Sequence, residues 1–195
     1  ADMADKILSS SDELSDLFNH DLFGTDYSSQ LDEINSVIGG EFILNNKTKQ
    51  LSFKENGHVV PPISVASGIK SFGVLQRLIQ TDNISTFKML IWDEPEIHLH
   101  PEWQIVFCKL IIELVAKGIP IVVSSHSPYF VQALRYFASA KGIEKDVKYY
   151  MAEESNETRL STVKEVTNDL NRVFALLAAP LRDIMNVDAV RNSMK

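Results

Sequence analysis

The chain has 195 residues, of which 45% are hydrophobic, and this composition predicts a globular fold with one substantial core. Its single cysteine, Cys108, excludes an internal disulfide, and the apolar neighbours of that residue favour a small core side chain over a nucleophile. No apolar run approaches the roughly 20 residues of a membrane helix, and no secretory leader opens the sequence. We therefore expect a cytoplasmic protein that does not enter a membrane.

The formal net charge of -7 is concentrated at the amino-terminal end. Residues 1–41 contain ten acids and one base, Lys6, whereas the remaining 154 residues contain 18 Lys and Arg against 16 Asp and Glu. Because this larger part is close to neutral, it provides no strong basic field for nucleic acid. Any contact with DNA is expected to need another part of the protein.

The acidic segment carries the pattern of helices and then of a hairpin. Apolar residues recur at helical spacing over residues 9–38, which predicts two short helices that end before Gly39. Residues 41–44 and 50–53 are typical of paired strands, and Asn56-Gly57 predicts a second turn that continues the antiparallel pattern. We assign residues 1–62 to a helical and antiparallel amino-terminal portion.

After residue 62 the pattern changes to helices and apolar strands. Residues 68–80 predict a helix, and residues 88–92, apolar after Lys88, predict a strand buried on both faces. Pro101 suits the first turn of the next helix, and Gly118 suits its left-handed end. The apolar positions of the helix predicted at residues 68–80 are Ile69, Phe72, Leu75 and Leu78 or Ile79.

A second strand and helix follow, at residues 119–124 and 128–140. The order strand, helix, strand, helix implies a right-handed crossover and a parallel sheet. Functional groups are then expected at the carboxyl ends of the strands. The predicted fold class is α/β, with its core in residues 63–162.

The carboxyl-terminal part of the chain is predicted to be mainly helical. Residues 147–151 predict one more strand, and the sequence reads as helical after residue 160. Pro180 is expected to break or to start a helix there. Residues 163–195 are therefore assigned to carboxyl-terminal helices.

Two adjacent carboxylates follow the first predicted core strand. A carboxylate at a strand tip can hold Mg²⁺, usually through water, and its neighbour can orient and deprotonate a water that attacks a phosphate. We assign the first role to Asp93 and the second to Glu94. The alternative is a turn that carries two solvated acids.

The second core strand runs into Ser125, His126 and Ser127, and this places a histidine among hydroxyl groups at the same sheet edge. An imidazole in that position can donate a hydrogen bond to a phosphate oxygen. Taken alone, His126 favours a structural cap over this role. Its position one crossover after Asp93 and Glu94 favours the functional role.

These motifs resemble, in order and spacing, those of the OLD-like branch of the ABC ATPases. Residues 90–101 (LIWDEPEIHLHP) are similar to the Walker B motif and D-loop of that family, residues 122–128 (VVSSHSP) to its histidine loop, and residues 64–73 to its signature segment. The resemblance implies a P-loop NTPase-like parallel sheet flanked by helices, and ATP hydrolysis with Mg²⁺. It also implies a homodimer in which two heads sandwich two ATP molecules, with DNA or a nuclease as a further partner.

The signature segment would present a helix amino end to the ATP of the other head, where free N–H groups favour phosphate. By the resemblance, Ser67 and Gly68 are the candidate contacts. Ala66 stands where ABC proteins commonly have the signature serine. One hydroxyl contact of the family is therefore not expected here.

A phosphate-binding loop of the form Gly-x-x-x-x-Gly-Lys-Ser/Thr does not occur in this sequence. Gly68-Ile69-Lys70-Ser71 does not fit, because the lysine is not next to the glycine and position 63 is isoleucine. The resemblance places that loop well before the signature segment. We expect that an amino-terminal Walker A portion, in the same polypeptide or a separate one, completes the ATPase, and that this chain alone is inactive.

Two other functions stay open at this point. A non-catalytic interaction module can retain an ATPase-like fold, although such a module has no need of Glu94 or His126. A metal-dependent hydrolase can use Asp93, His98 and His100, with Glu96 nearby, since imidazole and carboxylate are suitable metal ligands. Two histidines two residues apart do not by themselves make a metal site.

Overall fold

The computed structural model describes residues 26–45, 47–80, 89–154 and 161–193. They form two compact units. The first contains the described residues up to Ile91 together with Ile97–His100 and Lys117–Val122. The second contains Trp92–Glu96, Pro101–Ala116 and the described residues from Val123 onward. The first helix predicted within residues 9–38 lies outside the described residues, and the domain boundaries proposed above stay predictions.

The first unit opens with a helix and a small antiparallel sheet. Helix α1 (Ser28–Ile38) ends at Gly39, whose φ of 67° is left-handed and therefore suits glycine. The sheet has the order β1-β2-β3. Its strands are β1 (Glu41–Leu44), β2 (Leu51–Glu55) and β3 (His58–Val60), which confirms the predicted hairpin and its continuation.

Helix α2 (Ser67–Gln80) packs near β1. A side chain at Gly73 would overlap the Phe42 ring, because a Cβ there would lie 2.2 Å from Phe42 Cε2. Gln76 is buried, and its Oε1 accepts a hydrogen bond of 2.7 Å from the Phe42 N–H. Ile79, rather than Leu78, takes the last core position of this helix. The predicted helix is confirmed to within one residue.

Strands β4 (Leu90–Trp92) and β5 (Ile121–Val123) form a two-stranded sheet. The Leu90 N–H donates to the Pro120 carbonyl at 2.9 Å, and the Ser124 N–H donates to the Trp92 carbonyl at 3.1 Å. Residue numbers increase in the same direction on both strands from the first hydrogen bond to the second. The two strands are therefore parallel, as predicted.

The prediction that the first core strand, β4, is buried on both faces was wrong, and the second core strand, β5, is likewise exposed on one face. Ile91 is 68% exposed and Val122 is 50% exposed. These residues lie at the middle of their strands, where alternate side chains point to opposite faces. Nothing in the described part of the chain covers the face that carries them, although their apolar character suits a covered position.

The second unit is built on two helices, α3 (Pro101–Ala116) and α4 (Pro128–Lys141), which pack together. The Trp92 ring meets Phe107 edge-on at a centroid distance of 5.3 Å. Cys108 is buried, and its thiol donates to the Phe130 carbonyl at 3.4 Å. Burial, and then the charge of Glu96, raises the pKa of this thiol. The prediction of a core cysteine is confirmed.

The second unit continues with an antiparallel pair, β6 (Tyr150–Glu154) and β7 (Ser161–Glu165). The prediction of helix directly after residue 160 was therefore wrong. Residues 161–165 include β-branched Thr162 and Val163, which suit an extended backbone. Glu153 of β6 forms ion pairs with Lys164 at 2.8 Å and with Arg172. The Lys164 hydrogen bond is the main cause of a lowered pKa of Glu153.

Helix α5 (Leu170–Ser193) contains Pro180 in its interior, so the prediction that this proline breaks or starts a helix was wrong. A proline lacks the backbone N–H that would bond to the carbonyl four residues earlier, but the neighbouring hydrogen bonds of the helix can still form. Helix α5 has 24 residues. Neither it nor another helix within the described ranges is long and apolar enough to cross a membrane.

Candidate functional site

Two loops follow the parallel strands and bring the predicted site residues to one edge of the sheet. Residues 93–96 follow β4, and residues 124–127 connect β5 to α4. In a parallel pair the carboxyl ends of both strands lie at the same edge. The two loops are joined by three sets of side-chain hydrogen bonds, all within the second unit.

The first link joins Asp93 to Ser124. The Ser124 hydroxyl donates to Asp93 Oδ1, and Ser124 Oγ itself accepts the Glu94 N–H at 3.0 Å. Asp93 is exposed. Its carboxylate is thus oriented by the neighbouring strand end while it remains accessible, and carboxylate oxygen is the ligand type that Mg²⁺ prefers. The donor chemistry at Asp93 therefore fits a magnesium ligand.

The second link joins Glu94 to His126. Glu94 Oε1 lies 3.0 Å from His126 Nδ1, and the side chains are 38% and 68% exposed. Glu94 has a φ of 44°, in the left-handed region that non-glycine residues rarely adopt. This backbone costs on the order of 1 kcal/mol, which marks a position that its surroundings hold in place. A carboxylate and an imidazole thus meet at an open strand edge.

The third link starts from Glu96, whose side chain is only 3% exposed. Its Oε1 accepts a hydrogen bond of 2.5 Å from the Ser125 hydroxyl and one of 3.3 Å from the His126 N–H. The Ser127 N–H in turn donates to Ser125 Oγ at 3.1 Å. Sequence reasoning had considered Glu96 only as a neighbour of His98 and His100, and it missed this role because no local signal reports burial.

Ser127 completes the loop by starting helix α4. Its side chain accepts the Phe130 N–H at 3.4 Å, as the N-cap of a helix does, and its Oγ lies 2.6 Å from Gln104 Oε1. The cap that sequence reasoning had offered as the alternative role of His126 is therefore supplied by Ser127. His126 keeps its side chain mostly exposed.

The predicted signature contacts belong to the first unit, at the amino end of α2. Ser67 is exposed, whereas Gly68 is buried. A Cβ on Gly68 would lie 2.9 Å from the His98 carbonyl oxygen and 3.2 Å from Leu99 Cδ2. Packing alone therefore requires a glycine at position 68, and contact of Ser67 or Gly68 with a nucleotide stays a prediction.

The histidines at positions 98 and 100 do not belong to a metal cluster. Across the ranges that the structure describes, no group of three or more His, Cys, Asp or Glu side chains is arranged to hold a metal ion. His98 has a φ of 65° and is exposed. The hydrolase alternative based on Asp93, His98 and His100 gains no support from this geometry.

Comparison with solved structures shows the fold. The chain resembles an SMC ATPase structure, described in terms of ATP-driven dimerization and DNA-stimulated activation, with a TM-score of 0.51 and 14% identity over 78% of this chain and 94% of the other. The fold is therefore α/β and P-loop NTPase-like, as predicted. With the family match over residues 3–131, this fold defines an ATPase domain.

The chain belongs to the AAA ATPase domain family, which it matches over residues 3–131. Septu protein PtuA of Bacillus thuringiensis is 30% identical over 110 residues, or 54% of this chain and 24% of that protein. OLD nuclease of Thermus scotoductus is 31% identical over 102 residues, or 50% of this chain and 19% of that protein. The chain thus aligns with about a quarter or less of the length of these relatives.

Proposed function

We propose that this chain supplies the Walker B, D-loop and histidine-loop part of an ATPase head that hydrolyses ATP between two copies of the head. The observation that carries this proposal is the contact of 3.0 Å between Glu94 Oε1 and His126 Nδ1 at the shared strand edge. Membership of the AAA ATPase domain family supports ATP as the substrate.

In the proposed reaction Glu94 orients and deprotonates the attacking water. Its carboxylate is partly exposed, so water can reach it, and it lies 3.0 Å from His126 Nδ1. His126 then donates a hydrogen bond to the terminal phosphate from its other ring nitrogen. Asp93, oriented by Ser124, is the proposed magnesium ligand. When bound, Mg²⁺ neutralises charge that develops on the phosphate oxygens.

The proposed nucleotide contacts of the second copy are Ser67 and Gly68. They stand at the amino end of α2, where backbone N–H groups and the helix dipole favour phosphate. The SMC ATPase structure that this chain resembles is described in terms of ATP-driven dimerization, and this supports a head dimer here. A Walker A portion from outside this sequence completes the site, and the open apolar face at Ile91 and Val122 is a suitable surface for it.

The proposed setting is DNA repair or phage defence, with DNA or a nuclease as partner. An OLD nuclease and a Septu protein are among the relatives. The part after residue 41 is close to neutral in net charge, so its overall charge provides no strong attraction for nucleic acid. DNA contact is therefore assigned to other parts of the protein or to the partner.

The test is Glu94→Gln in the complete protein, because this substitution keeps the side-chain shape and removes the base. We expect ATP hydrolysis to fall by roughly 10²- to 10⁴-fold, with ATP binding largely intact and ATP-bound dimers accumulating. Glu144→Gln, at an exposed turn, is the matched control and should keep full activity. Near-normal turnover of Glu94→Gln would remove Glu94 from the base role, and a parent without ATPase activity would favour the non-catalytic interaction module.

A further inference from the structure

Glu96 is the only carboxylate buried within the described residues. Burial of a charge is costly unless hydrogen bonds compensate it. The recorded bonds that compensate it all come from the loop of residues 124–127, namely from the Ser125 hydroxyl and the His126 N–H. The buried acid therefore depends on the same loop that carries the imidazole.

These bonds restrain the backbone on both sides of the imidazole. Glu96 Oε1 accepts the N–H of His126 itself at 3.3 Å, and it accepts the hydroxyl of the preceding Ser125 at 2.5 Å. Ser125 Oγ also accepts the Ser127 N–H at 3.1 Å, so the residue after His126 is linked to Glu96 through Ser125. Three consecutive residues of the loop are thus tied to one buried side chain.

The imidazole needs this support because its own contact is weak. His126 and Glu94 are 68% and 38% exposed, and at such exposure even a fully charged pair contributes little to holding side chains in one geometry. Hydrogen bonds to an ionised carboxylate are roughly twice as strong as neutral ones. The position of His126 relative to Glu94 is therefore set mainly through its backbone.

We propose that Glu96 is a positioning residue, which holds the loop of residues 125–127 so that His126 meets Glu94. This inference rests on the proposed function, because it concerns the same reaction. Glu96 itself touches neither ATP nor water in this proposal. It acts only through His126.

The variants separate hydrogen bonding from charge. Glu96→Ala removes both bonds, whereas Glu96→Gln keeps an oxygen that can accept them without the charge. Glu96 Oε2 is buried and has no hydrogen-bond partner among the described residues. The amide nitrogen of the glutamine can therefore replace Oε2 without breaking either bond to Oε1. Ser125→Ala removes the hydroxyl bond to Glu96 from the other side, and with it the acceptor of the Ser127 N–H. Glu144→Ala is the exposed control.

In the complete protein we expect Glu96→Ala to lower kcat about 10- to 100-fold, the order of loss that misplaced groups cause, with KM for ATP within about threefold. Glu96→Gln should retain more activity than Glu96→Ala. Ser125→Ala should lower kcat less than Glu96→Ala, because the His126 N–H keeps its bond to Glu96. The loss of kcat in the double variant should be smaller than the two single losses combined, since both changes break the Ser125–Glu96 bond. A parent-like kcat in both Glu96 variants, or a loss that appears only in KM, would overturn the proposal.

Amide hydrogen exchange gives a measurement that does not depend on ATPase activity. We expect the His126 and Ser127 amides to exchange at least about tenfold faster in Glu96→Ala, while the core amides of α4 stay protected. If the parent has no ATPase activity, the proposed function fails, but the amide exchange rates still test whether Glu96 holds the loop of residues 125–127 in place. Unchanged exchange rates at the His126 and Ser127 amides would show that Glu96 does not hold this loop. If Glu96→Ala does not fold, Ser125→Ala, which breaks the Ser125 bond to Glu96, supplies the kcat comparison and the exchange comparison at the His126 amide.

Discussion

Gly68 and the His98 carbonyl are in close contact: a Cβ at position 68 would lie 2.9 Å from that oxygen. The amino end of α2 is therefore packed directly against the backbone of residues 97–100, both within the first unit. Ser67, one residue earlier, is exposed. The two candidate nucleotide contacts thus differ in kind, since one is needed for packing and the other is available to a ligand.

Gly68→Ala is expected to destabilise the fold by about 1–3 kcal/mol, because the added methyl group forces α2 away from a backbone carbonyl that cannot move independently. Ser67→Ala should change stability by about 0.5 kcal/mol or less, as exposed substitutions do. Urea denaturation of the two variants measures both free energies. Equal stabilities would mean that the contact at position 68 relaxes without cost.

Ser67 is the better position for a test of nucleotide-dependent dimerization. Ser67→Asp places a carboxylate at a helix amino end, where it does not harm the helix, but it would repel the phosphate of a second head's ATP. We expect the complete protein to dimerize with a slowly hydrolysed ATP analogue, and Ser67→Asp to lose this response. Ser67→Asn is the uncharged control and should dimerize. Light scattering measures the assembly, and dimerization of Ser67→Asp at the parent level would argue against this interface.

The left-handed backbone of Glu94, with a φ of 44°, predicts an unusual order of stability. Glu94→Gly and Glu94→Ala both lack the carboxylate, but only glycine adopts this conformation without strain. We expect Glu94→Gly to be more stable than Glu94→Ala by about 1 kcal/mol. At Glu144 the order should reverse by about 0.5–1 kcal/mol, because that residue has no left-handed φ. Thermal or urea unfolding of the four variants measures these differences, and the same order at both positions would exclude strain at Glu94.

The buried thiol predicts a loss of stability in alkali. Burial raises the pKa of Cys108, so the folded protein keeps this proton at a pH where the unfolded chain, with a thiol pKa of about 8.5, releases it. The contribution of the protonated thiol to the free energy of unfolding is fully present below the pKa of the unfolded chain and is lost as pH rises above it. We expect the free energy of unfolding to fall by about 1.4 kcal/mol per pH unit more in the parent than in Cys108→Ala between about pH 9 and pH 10. Parallel pH profiles of the two proteins would show that the folded thiol ionises normally.

Local patterns in the sequence were sufficient for much of this protein. The apolar spacing of residues 68–80, the proline at the start of α3 and the turn at Asn56-Gly57 each act within a few residues, so helices and hairpins were predicted to within a few positions. The approach of Glu94 and His126 was also predictable, because parallel strands place their carboxyl ends at one edge. Their proposed roles stay predictions.

Tertiary structure alone decided which groups are buried and which are held. Glu96 and Ser125 are 29 residues apart in the chain, and no local pattern reports that they share a hydrogen bond in the interior. The packing of Gly68 against His98 and the exposure of Ile91 depend likewise on which segments meet. Burial and hydrogen-bond partners are properties of the assembled loops and layers, whereas periodicity in sequence specifies only the elements that are assembled.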